Sequence, residues 1–316
     1  MRALVTGGAG CIGSDLAEAL LRRGDEVVVL DNFSSGKREH LEPLTGRPGF
    51  TLVEGDLLDA GLAAAAMKGI EIVWHLGANP DVKYSPGDPT DRDLQQNTIA
   101  TYRVLEAARL AGVKRLAFSS SSAVYGLQEK LPIGEDAPAR PISLYGATKL
   151  ACEGLISSFS HLFGMRAWVF RFANIVGPKV RRRGRTVIGD FVHRLREDPG
   201  RLRILGDGRQ AKSYLTSQEC VEGMLHGVEH AKGEYSVLNL SGTDSITVQR
   251  IADLVVEAMG LANVPYEYTG GEGGWPGDVP RFTLDPRRIN ALGWRARLNS
   301  EQSVVEAIRA TVERAA

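Results

Sequence analysis

A glycine-rich loop close to the amino terminus constrains the fold of this chain more than any other feature. The pattern Gly8-x-Gly10-x-x-Gly13 follows a short apolar stretch at 3–5 and precedes a stretch at 12–23 whose apolar residues recur at helical spacing. Glycines here permit a tight turn and let the backbone approach a dinucleotide diphosphate, whose charge would face the helix N-terminus. The same glycines also fit an ordinary strand-to-helix turn, so other motifs must decide between the two readings.

The first 170 residues alternate short β-branched runs with helical patterns. This alternation is typical of βαβ units, which form a parallel sheet covered by helices on both faces. We therefore predict an α/β fold with a doubly wound parallel sheet, as in Rossmann domains. The predicted strands cover 3–5, 27–30, 50–53, 72–75, 116–119 and 167–170, and the predicted helices cover 12–23, 91–111 and 145–163.

The regular alternation stops after Asn174, where Gly, Pro and Arg concentrate in 177–189 and loop residues recur in 270–277. A chain of 316 residues is long enough for roughly two domains. We expect an NAD-binding Rossmann domain over 1–173, to which 211–243 returns, and a smaller α+β substrate lobe. That lobe would comprise 174–210 and 244–316, with helices at 187–196, 248–259 and 301–314, and a further helix at 217–229 would lie in the returning segment.

Composition excludes several classes of function. Lys plus Arg and Asp plus Glu both number 38, so the formal net charge is zero and no general field attracts nucleic acid or an anionic membrane. The sequence has no apolar run of membrane-spanning length and no signal-peptide pattern, and we expect a cytoplasmic protein. The partners expected are therefore a small-molecule substrate and a cofactor, without nucleic acid or membrane.

Cysteine and histidine spacing gives little sign of a metal or disulfide site. Cys11, Cys152 and Cys220 are odd in number and far apart, which favours free thiols. His226 and His230 are one helical turn apart but have no evident third ligand, so a surface helix is the favoured interpretation.

The second predicted strand is followed by a carboxylate at Asp31, about 18 residues after Gly13. A carboxylate there binds the adenosine ribose hydroxyls and would repel a 2′-phosphate, which favours NAD over NADP. Lys37 and Arg38 lie close enough in sequence to weaken that preference. A turn or helix-cap role for Asp31 is the alternative.

A tyrosine and a lysine share one helix face in Tyr145-x-x-x-Lys149. A free phenol has a pKa near 10, and making Tyr145 a base at pH 7 requires about 4 kcal/mol. Two cations, Lys149 and an oxidised nicotinamide, could each supply roughly 3 kcal/mol at about 5 Å. Serines 119–122 follow a predicted strand and could share the substrate proton at the ligand side of the sheet.

Taken together, these motifs resemble the extended short-chain dehydrogenase/reductase family, in its nucleotide-sugar epimerase and dehydratase branch. The resemblance rests on the glycine loop, Asp31, the serine turn running into Val124-Tyr125-Gly126, and Tyr145-x-x-x-Lys149. It extends through 171–177, 206–208 and 212–214, and within the branch it is strongest to archaeal-type UDP-glucose 4-epimerases. It also implies a homodimer formed by the helices at 91–111 and 145–163.

The resemblance assigns a role to each matching residue. Tyr145 becomes the general base and acid, Lys149 its electrostatic partner and a nicotinamide-ribose ligand, and Ser121 the hydroxyl that shares the substrate proton. The implied NAD contacts are Gly7, Gly10, Cys11, Ile12, Gly13, Asp31, Asn32, Ser35, Gly36, Asp56, Leu57, Leu76, Ala78, Asn97, Ser119, Tyr145, Lys149 and Phe172. The implied substrate contacts are Ser121, Tyr145, Asn174, Val187, Leu205, Lys212, Asp278 and Phe282.

The serine turn indicates which reaction of the branch to expect. Dehydratases of the branch have Asp and Glu in this turn and the related decarboxylases have a Glu, whereas this chain has Ser122 and Ala123. The resemblance therefore implies NAD-dependent 4-epimerisation of a UDP-hexose, UDP-galactose to UDP-glucose, through a 4-keto intermediate with NAD retained. The alternatives are an epimerase of UDP-glucuronate or UDP-N-acetylhexosamine, a nucleotide-sugar dehydratase or reductase, and a binding protein that lost catalysis.

Three positions depart from the pattern of many 4-epimerases. Lys212 and Trp275 stand where those enzymes have arginines, and a lysine is a point charge that cannot grip a phosphate bidentately. Phe282 stands where a tyrosine excludes N-acetylated sugars in some members, which favours glucose and galactose. Candidates to complete the phosphate clamp are Lys179, Arg181, Arg182, Arg183, Arg185 and Arg281, although a solvated basic loop explains the run equally well.

Overall fold

A computed structural model describes residues 1–85, 87–179 and 186–313. The strands in these ranges are β1 Arg2–Thr6, β2 Glu26–Asp31, β3 Phe50–Glu54, β4 Ile72–His75, β5 Arg115–Ser121, β6 Arg166–Phe172, β7 Asn174–Val176, β8 Leu202–Ile204, β9 Ala211–Lys212, β10 Tyr214–Thr216, β11 Tyr235–Leu240, β12 Ile246–Thr247, β13 Tyr266–Tyr268 and β14 Arg281–Phe282. The α-helices are α1 Cys11–Arg22, α2 Ala60–Ala66, α3 Ala100–Leu110, α4 Leu144–Phe163, α5 Val187–Glu197, α6 Ser217–His230, α7 Val248–Ala258, α8 Arg287–Ala291 and α9 Ser300–Glu313.

The main sheet has the order β3-β2-β1-β4-β5-β6-β11, and each neighbouring pair is parallel. Its central strands are buried on both faces because helices cover both sides, whereas the edge strand β3 is partly exposed. Ala3 and Val5 of β1 pack in one core with α1 and α6, whereas Leu4 packs in the opposite core with α2, α3 and α4. The doubly wound α/β prediction is confirmed, and the strand order reverses at β1, which places a crevice beside its carboxyl end.

A separate core lies beyond the sheet. Buried residues of α5, α7 and α9 form it together with Leu202 and Ile204 of β8. Both β9 and β10 pair with strands of this region, β9 with β12 and β14 and β10 with β7. We therefore propose that the segment returning to the Rossmann domain begins at α6 rather than at residue 211.

The predicted helix over 91–111 is not uniform. Leu94–Ile99 forms a wider helical turn of the π type, and regular α-helix begins at Ala100. Asn97 in this turn is buried, and its side chain accepts from the Asn79 N–H and donates to Thr148 Oγ1. These bonds to two other segments hold the turn open, and no periodicity in the sequence signals them.

None of the helices in the described ranges is both long and apolar enough to cross a membrane.

Candidate active site

A cavity of about 830 Å³ lies between the carboxyl ends of the sheet strands and the second core. Residues that end or follow β1, β2, β4, β5 and β6 line one side, and residues of α5, β9 and β14 line the other. The predicted residues on its wall are Gly7, Gly10, Cys11, Ile12, Gly13, Asp31, Asn32, Ser35, Asp56, Leu57, Leu76, Ala78, Ser119, Ser121, Tyr145, Lys149, Phe172, Asn174, Val187, Leu205, Lys212, Asp278 and Phe282.

Two predicted cofactor residues are missing from the described wall of the cavity, Gly36 and Asn97. Gly36 lies behind the glycine loop, where an added Cβ would be 2.7 Å from the Ala9 Cβ. Asn97 is only 1% exposed and bonds to Asn79 and Thr148. Both residues therefore shape the wall from behind.

The glycine loop needs glycine for two steric reasons. Gly7 has a φ of +68°, in the left-handed region, and a Cβ there would be 2.6 Å from the Gly77 nitrogen. A Cβ at Gly13 would be 2.2 Å from the Gly7 oxygen. Gly10 caps α1 and, as a glycine, puts no side chain between the first helical N–H groups and the cavity. This cradle fits the diphosphate of a dinucleotide.

Asp31 is 8% exposed and is held by the backbone. Its Oδ2 accepts the Ala9 N–H at 2.8 Å and its Oδ1 accepts the Phe33 N–H at 2.8 Å. Burial raises the pKa of Asp31, and these two N–H bonds act in the opposite direction. The carboxylate therefore links the glycine loop to the end of β2, at the place expected for ribose recognition.

The two cations that weaken the preference for NAD each pair with a nearby carboxylate. Lys37 pairs with Glu39 at 3.5 Å and also lines the cavity. Arg38 pairs with Glu54, and its guanidinium lies 4.1 Å from the centroid of the Phe33 ring. Both pairs are exposed and therefore weak, so in this site the preference for NAD rests on Asp31.

Tyr145 and Lys149 both face the cavity from α4. Ser143 caps this helix by accepting the Gly146 N–H, so Tyr145 lies in its first turn. Lys149 is 2% exposed, and its Nζ donates to the Ser119 oxygen at 2.8 Å and lies 5.9 Å from the Tyr145 ring centroid. Burial lowers the pKa of Lys149 to about 8. Lys149 is therefore a buried cation close to the phenol.

The serine turn closes the end of β5. Ser121 ends the strand and its Oγ accepts the Ala123 N–H at 3.2 Å. Ser119 donates to the His75 oxygen, and Ser120 donates to the buried carboxylate of Glu153. The Ser121 hydroxyl therefore bonds within the turn itself. This turn lines the cavity beside Tyr145.

A buried ion pair lies directly behind this turn. Glu153, one helical turn after Lys149, pairs with Arg171 of β6 at 2.7 Å, with both side chains at most 8% exposed. Arg171 also donates to the Glu135 oxygen, and its guanidinium lies 4.7 Å from the centroid of the Tyr125 ring. The pair therefore ties α4 to β6 and, through Ser120, to β5.

The other side of the cavity is formed around Lys212 and Asp278. Lys212 Nζ lies 2.5 Å from Asp278 Oδ1 and 5.1 Å from the centroid of the Trp275 ring. Asp278 Oδ2 accepts the Gly274 N–H, so the carboxylate also orders the glycine-rich loop at 270–277. Phe282 lies beside Lys212 in the β9–β14 pairing and is 6% exposed. Two of the three departures from the family pattern, Lys212 and Trp275, are thus in contact.

The two candidates for a phosphate clamp that the structure describes have different surroundings. Lys179 pairs with Asp15 of α1 at 2.7 Å. Arg281 is not among the described residues of the cavity wall. The remaining candidates, Arg181, Arg182, Arg183 and Arg185, lie outside the described residues.

The wall also contains residues that sequence reasoning missed, including His40, Lys83 and Tyr214. His40 Nδ1 donates to the Ala9 oxygen at 2.8 Å, and burial lowers the pKa of His40. Burial raises the pKa of Tyr214 to about 12, while a hydrogen bond with Asn174 lowers it. Tyr214 lies in the stretch 212–214 that the resemblance covers but was given no role at the site. No motif marks His40 or Lys83, which reach the cavity only through packing.

The cysteines and histidines singled out in the sequence lie in ordinary surroundings. Cys11 is half-buried, Cys152 and Cys220 are buried, and all three are free thiols. The rings of His226 and His230 stack on α6 with centroids 3.9 Å apart, and His226 Nε2 bonds to the Leu292 oxygen. In the described part of the chain, no group of three or more His, Cys, Asp or Glu side chains could hold a metal ion.

Comparison with known proteins gives consistent results. The model of the NAD dependent epimerase/dehydratase family matches residues 3–241. A UDP-glucose 4-epimerase of Mycolicibacterium smegmatis is 34% identical, over 99% of this chain and 98% of that protein. A solved UDP-galactose 4-epimerase superposes with a TM-score of 0.88 at 37% identity, covering 99% of both chains. A dTDP-glucose 4,6-dehydratase of Streptomyces venezuelae with NAD bound has a TM-score of 0.90 at 26% identity, covering 99% of this chain and 97% of the other.

The match of the family model spans well over half of the chain, and the similarity of these relatives extends over nearly all of it. The chain therefore belongs to the NAD dependent epimerase/dehydratase family, as an enzyme whose cofactor is NAD.

Proposed function

We propose that the protein catalyses the 4-epimerisation of a UDP-hexose and interconverts UDP-galactose and UDP-glucose. A 4-epimerase and a dehydratase both match this fold closely, so overall similarity does not distinguish the two reactions. The site residues must decide between them.

The observation on which the proposal rests is the serine turn. Residues 121–124 contain no carboxylate, and Ala123 lines the cavity together with Tyr145. A Cβ at Gly146 would be 2.5 Å from the Ala123 oxygen, so the turn packs tightly against the start of α4. Removing water from a sugar needs a further acid and base, and protonating the enol left by loss of carbon dioxide needs a further acid. This turn supplies neither, whereas one proton donor and acceptor suffices for epimerisation.

We propose that Tyr145 removes the proton of the substrate 4-hydroxyl and later returns it. Moving the pKa of a phenol from about 10 to 7 requires about 4 kcal/mol. Lys149 Nζ lies 5.9 Å from the centroid of the Tyr145 ring. A cation about 6 Å from the phenolate charge would supply about 3 kcal/mol of this if the effective dielectric constant is about 20. Ser121 shares the proton through its hydroxyl. NAD, when bound, supplies a reversible hydride acceptor.

The residues that would hold NAD are those whose placement fits a dinucleotide. The glycine cradle at Gly7, Gly10 and Gly13 would face the diphosphate, Asp31 the adenosine ribose, and Lys149 the nicotinamide ribose. An epimerase returns its cofactor to the starting oxidation state in every cycle, so losing the cofactor midway would leave a ketone behind. We therefore propose that NAD is retained.

On the substrate side, we propose that Lys212 binds the diphosphate of the UDP group. Asp278 and Trp275 already hold the Lys212 ammonium in place. Lys212 would therefore lose less conformational entropy on binding the diphosphate than a flexible lysine would. The bulk of buried Phe282 disfavours an N-acetyl group and favours glucose and galactose. Asn174, Val187 and Leu205 complete the wall for the nucleotide.

Two further parts of the proposal concern the whole protein. We infer a homodimer formed by α3 and α4, because large apolar side chains are exposed on both helices. The clearest are Leu110, 68% exposed on α3, and Leu162, 68% exposed on α4. We also place the enzyme in the cytoplasm, where UDP-sugars would be its substrates.

The test is to incubate the purified protein with UDP-galactose without added cofactor. UDP-glucose is quantified by chromatography, and NAD(H) released on denaturation is measured in parallel. Conversion together with bound NAD supports the proposal. Bound NAD without conversion contradicts either the proposed substrate or the proposed reaction. Parallel incubations with UDP-glucuronate and UDP-N-acetylgalactosamine separate the two, because epimerisation of either sugar shows that only the substrate was wrong. Net production of free NADH indicates a dehydrogenase instead.

A further inference from the structure

Three side chains from separate elements meet beside the start of α1. Asp15 Oδ1 lies 2.7 Å from Lys179 Nζ, and Asp15 Oδ2 accepts the Ser217 hydroxyl at 2.6 Å. Lys179 follows β7 and Ser217 follows β10, and these strands are parallel neighbours whose carboxyl ends lie side by side. One carboxylate of α1 therefore holds both chain segments that leave this small sheet.

This contact lies against the part of the cavity expected to hold the cofactor diphosphate. Lys179 lines the cavity, as do Gly10 and Cys11 at the start of α1. The Lys179 backbone and the Ser217 hydroxyl both reach the Cys11 thiol. The Lys179 segment, which comprises residues 177–179, therefore lies next to the N-terminus of α1, which would face the phosphates.

Close packing at Gly177 brings the segment into place. A Cβ at this position would be 2.7 Å from Ser217 Oγ, the atom that donates to Asp15. The chain after β7 thus approaches α6 so closely that a Cβ at residue 177 would displace the Ser217 hydroxyl from its bond to Asp15. Lys179, two residues later, then reaches α1.

The ion pair is more protected from water than the surface pairs of this protein. The side chains of Lys179 and Asp15 are 21% and 11% exposed, whereas those of Arg250 and Glu301 are 45% and 42% exposed. Partly buried pairs are screened less by salt and hold their geometry better than exposed ones. The Asp15 contact is therefore able to restrain the segment.

We infer that Asp15, Lys179 and Ser217 form a latch that slows the release of NAD. The inference rests on the proposed retention of NAD through each cycle. A dinucleotide whose diphosphate faces the start of α1 would lie against the Lys179 segment, so its departure would displace these residues. That movement breaks the ion pair to Asp15 and the hydrogen bond from Ser217. The latch thus adds to the barrier for dissociation.

The experiment measures NAD release from the full chain with no sugar present. Wild-type protein, Asp15→Asn, Lys179→Met and the double variant are loaded with NAD and desalted, and the free nucleotide is followed over time after ultrafiltration. Arg250→Met is the matched control, because it removes an exposed ion pair between α7 and α9. Both substitutions in the latch preserve side-chain size, and circular dichroism verifies that each variant is folded.

We expect each single variant of the latch to release NAD roughly fivefold faster, and the control to match the wild type. The double variant should release NAD no faster than the faster single variant, because both changes break the same contact. Slower release from Asp15→Asn together with faster release from Lys179→Met would show simple charge effects on the diphosphate and overturn the latch. Wild-type rates in both variants would overturn it as well.

The result is independent of the reaction assigned to the enzyme. If the latch variants release NAD faster while the wild type converts none of the tested UDP-sugars, the latch stands and the proposed reaction fails. If the wild type epimerises UDP-galactose but the variants hold NAD as firmly as it does, the reaction stands and the latch fails.

Discussion

At the scale of single residues, the proposed chemistry depends on a buried ammonium next to a phenol. Lys149 is 2% exposed, and its Nζ donates to the Ser119 oxygen at 2.8 Å, which favours its position beside Tyr145. Burial penalises the charged form of Lys149, and the nearby Glu153 and Asp93 carboxylates favour it. The balance leaves Lys149 mostly protonated at pH 7.

Replacing Tyr145 by Phe should abolish the proton transfer and leave the binding sites intact. We expect the turnover number for UDP-galactose to fall by about 10³ while NAD remains bound, because general acid–base catalysis contributes about that factor. Steady-state kinetics and NAD quantification after desalting measure the two effects. Turnover within about tenfold of the wild type would exclude Tyr145 as the acid and base.

The pKa of Lys149 predicts an upper limit to the pH range of activity. As the pH rises through about 8, Lys149 loses its proton and no longer stabilises the charged phenolate, so the turnover number should fall. Over the same range the folded state should gain stability relative to a Lys149→Met variant. The reason is that the unfolded chain, with an ordinary lysine pKa, still binds the proton that the folded state has lost.

Rates and urea unfolding curves measured between about pH 7 and 10 test this prediction. A fall in rate accompanied by loss of stability relative to Lys149→Met would point to unfolding rather than to the titration of Lys149.

At the scale of elements, the position of α4 determines the active site. Ser143 begins the helix by capping it, and the pair between Glu153 and Arg171 ties it to the sheet. Glu153 also accepts a hydrogen bond from Ser120, which connects the pair to the serine turn. The sequence predicts this helix well, because its length and periodicity are local properties.

Glu153→Gln should destabilise the protein because it leaves the Arg171 charge buried without its counterion. We expect a loss of about 3 kcal/mol in the free energy of unfolding. Glu301→Gln breaks the exposed pair with Arg250 and should cost less than about 1 kcal/mol. Urea denaturation of both variants measures the difference, and equal losses would contradict the structural role given to Glu153.

Several of the elements that the sequence did not predict share a physical reason, although the six-residue strand β11 is not among them. Helix α2 is only seven residues long, and the strands β9, β12 and β14 have two residues each. Such short segments have no measurable periodicity and form because neighbours offer hydrogen bonds. The widened turn at Leu94–Ile99 belongs to the same class, since it depends on bonds from Asn97 to distant residues.

At the scale of the whole molecule, apolar residues on α3 and α4 remain exposed. Tyr102 and Leu110 lie on one helix, and Leu162 and Phe163 on the other. Exposed large apolar side chains on two neighbouring helices are a candidate surface for a partner. The proposed homodimer would bring the two helices of each subunit together.

Leu162→Glu should therefore convert the dimer to a monomer. Leu127→Glu is the control, because Leu127 is 61% exposed but lies outside both helices. Sedimentation equilibrium of wild type and both variants gives the molecular mass, and we expect only Leu162→Glu to approach the 34.2 kDa of one chain. A wild-type monomer would contradict the proposed interface.

The sequence by itself determined the features that depend on local spacing. The glycine loop, the buried strands of the sheet and the shared helix face of Tyr145 and Lys149 follow from the periods of strands and helices and from the special geometry of glycine. These features were sufficient to predict the doubly wound fold, the family and NAD. They act between residues that are close in the chain, so the sequence displays them directly.

Only the tertiary structure decided which distant side chains meet. Lys212 pairs with Asp278, 66 residues away. Lys179, one of the candidates for the phosphate clamp, pairs with Asp15 of α1. His40 reaches the cavity although no motif marks it. Each of these contacts depends on how whole elements pack. A charged side chain pairs with whichever opposite charge the packing brings within reach. Spacing along the chain has no such information, because neighbours in the folded protein come from unrelated parts of the sequence.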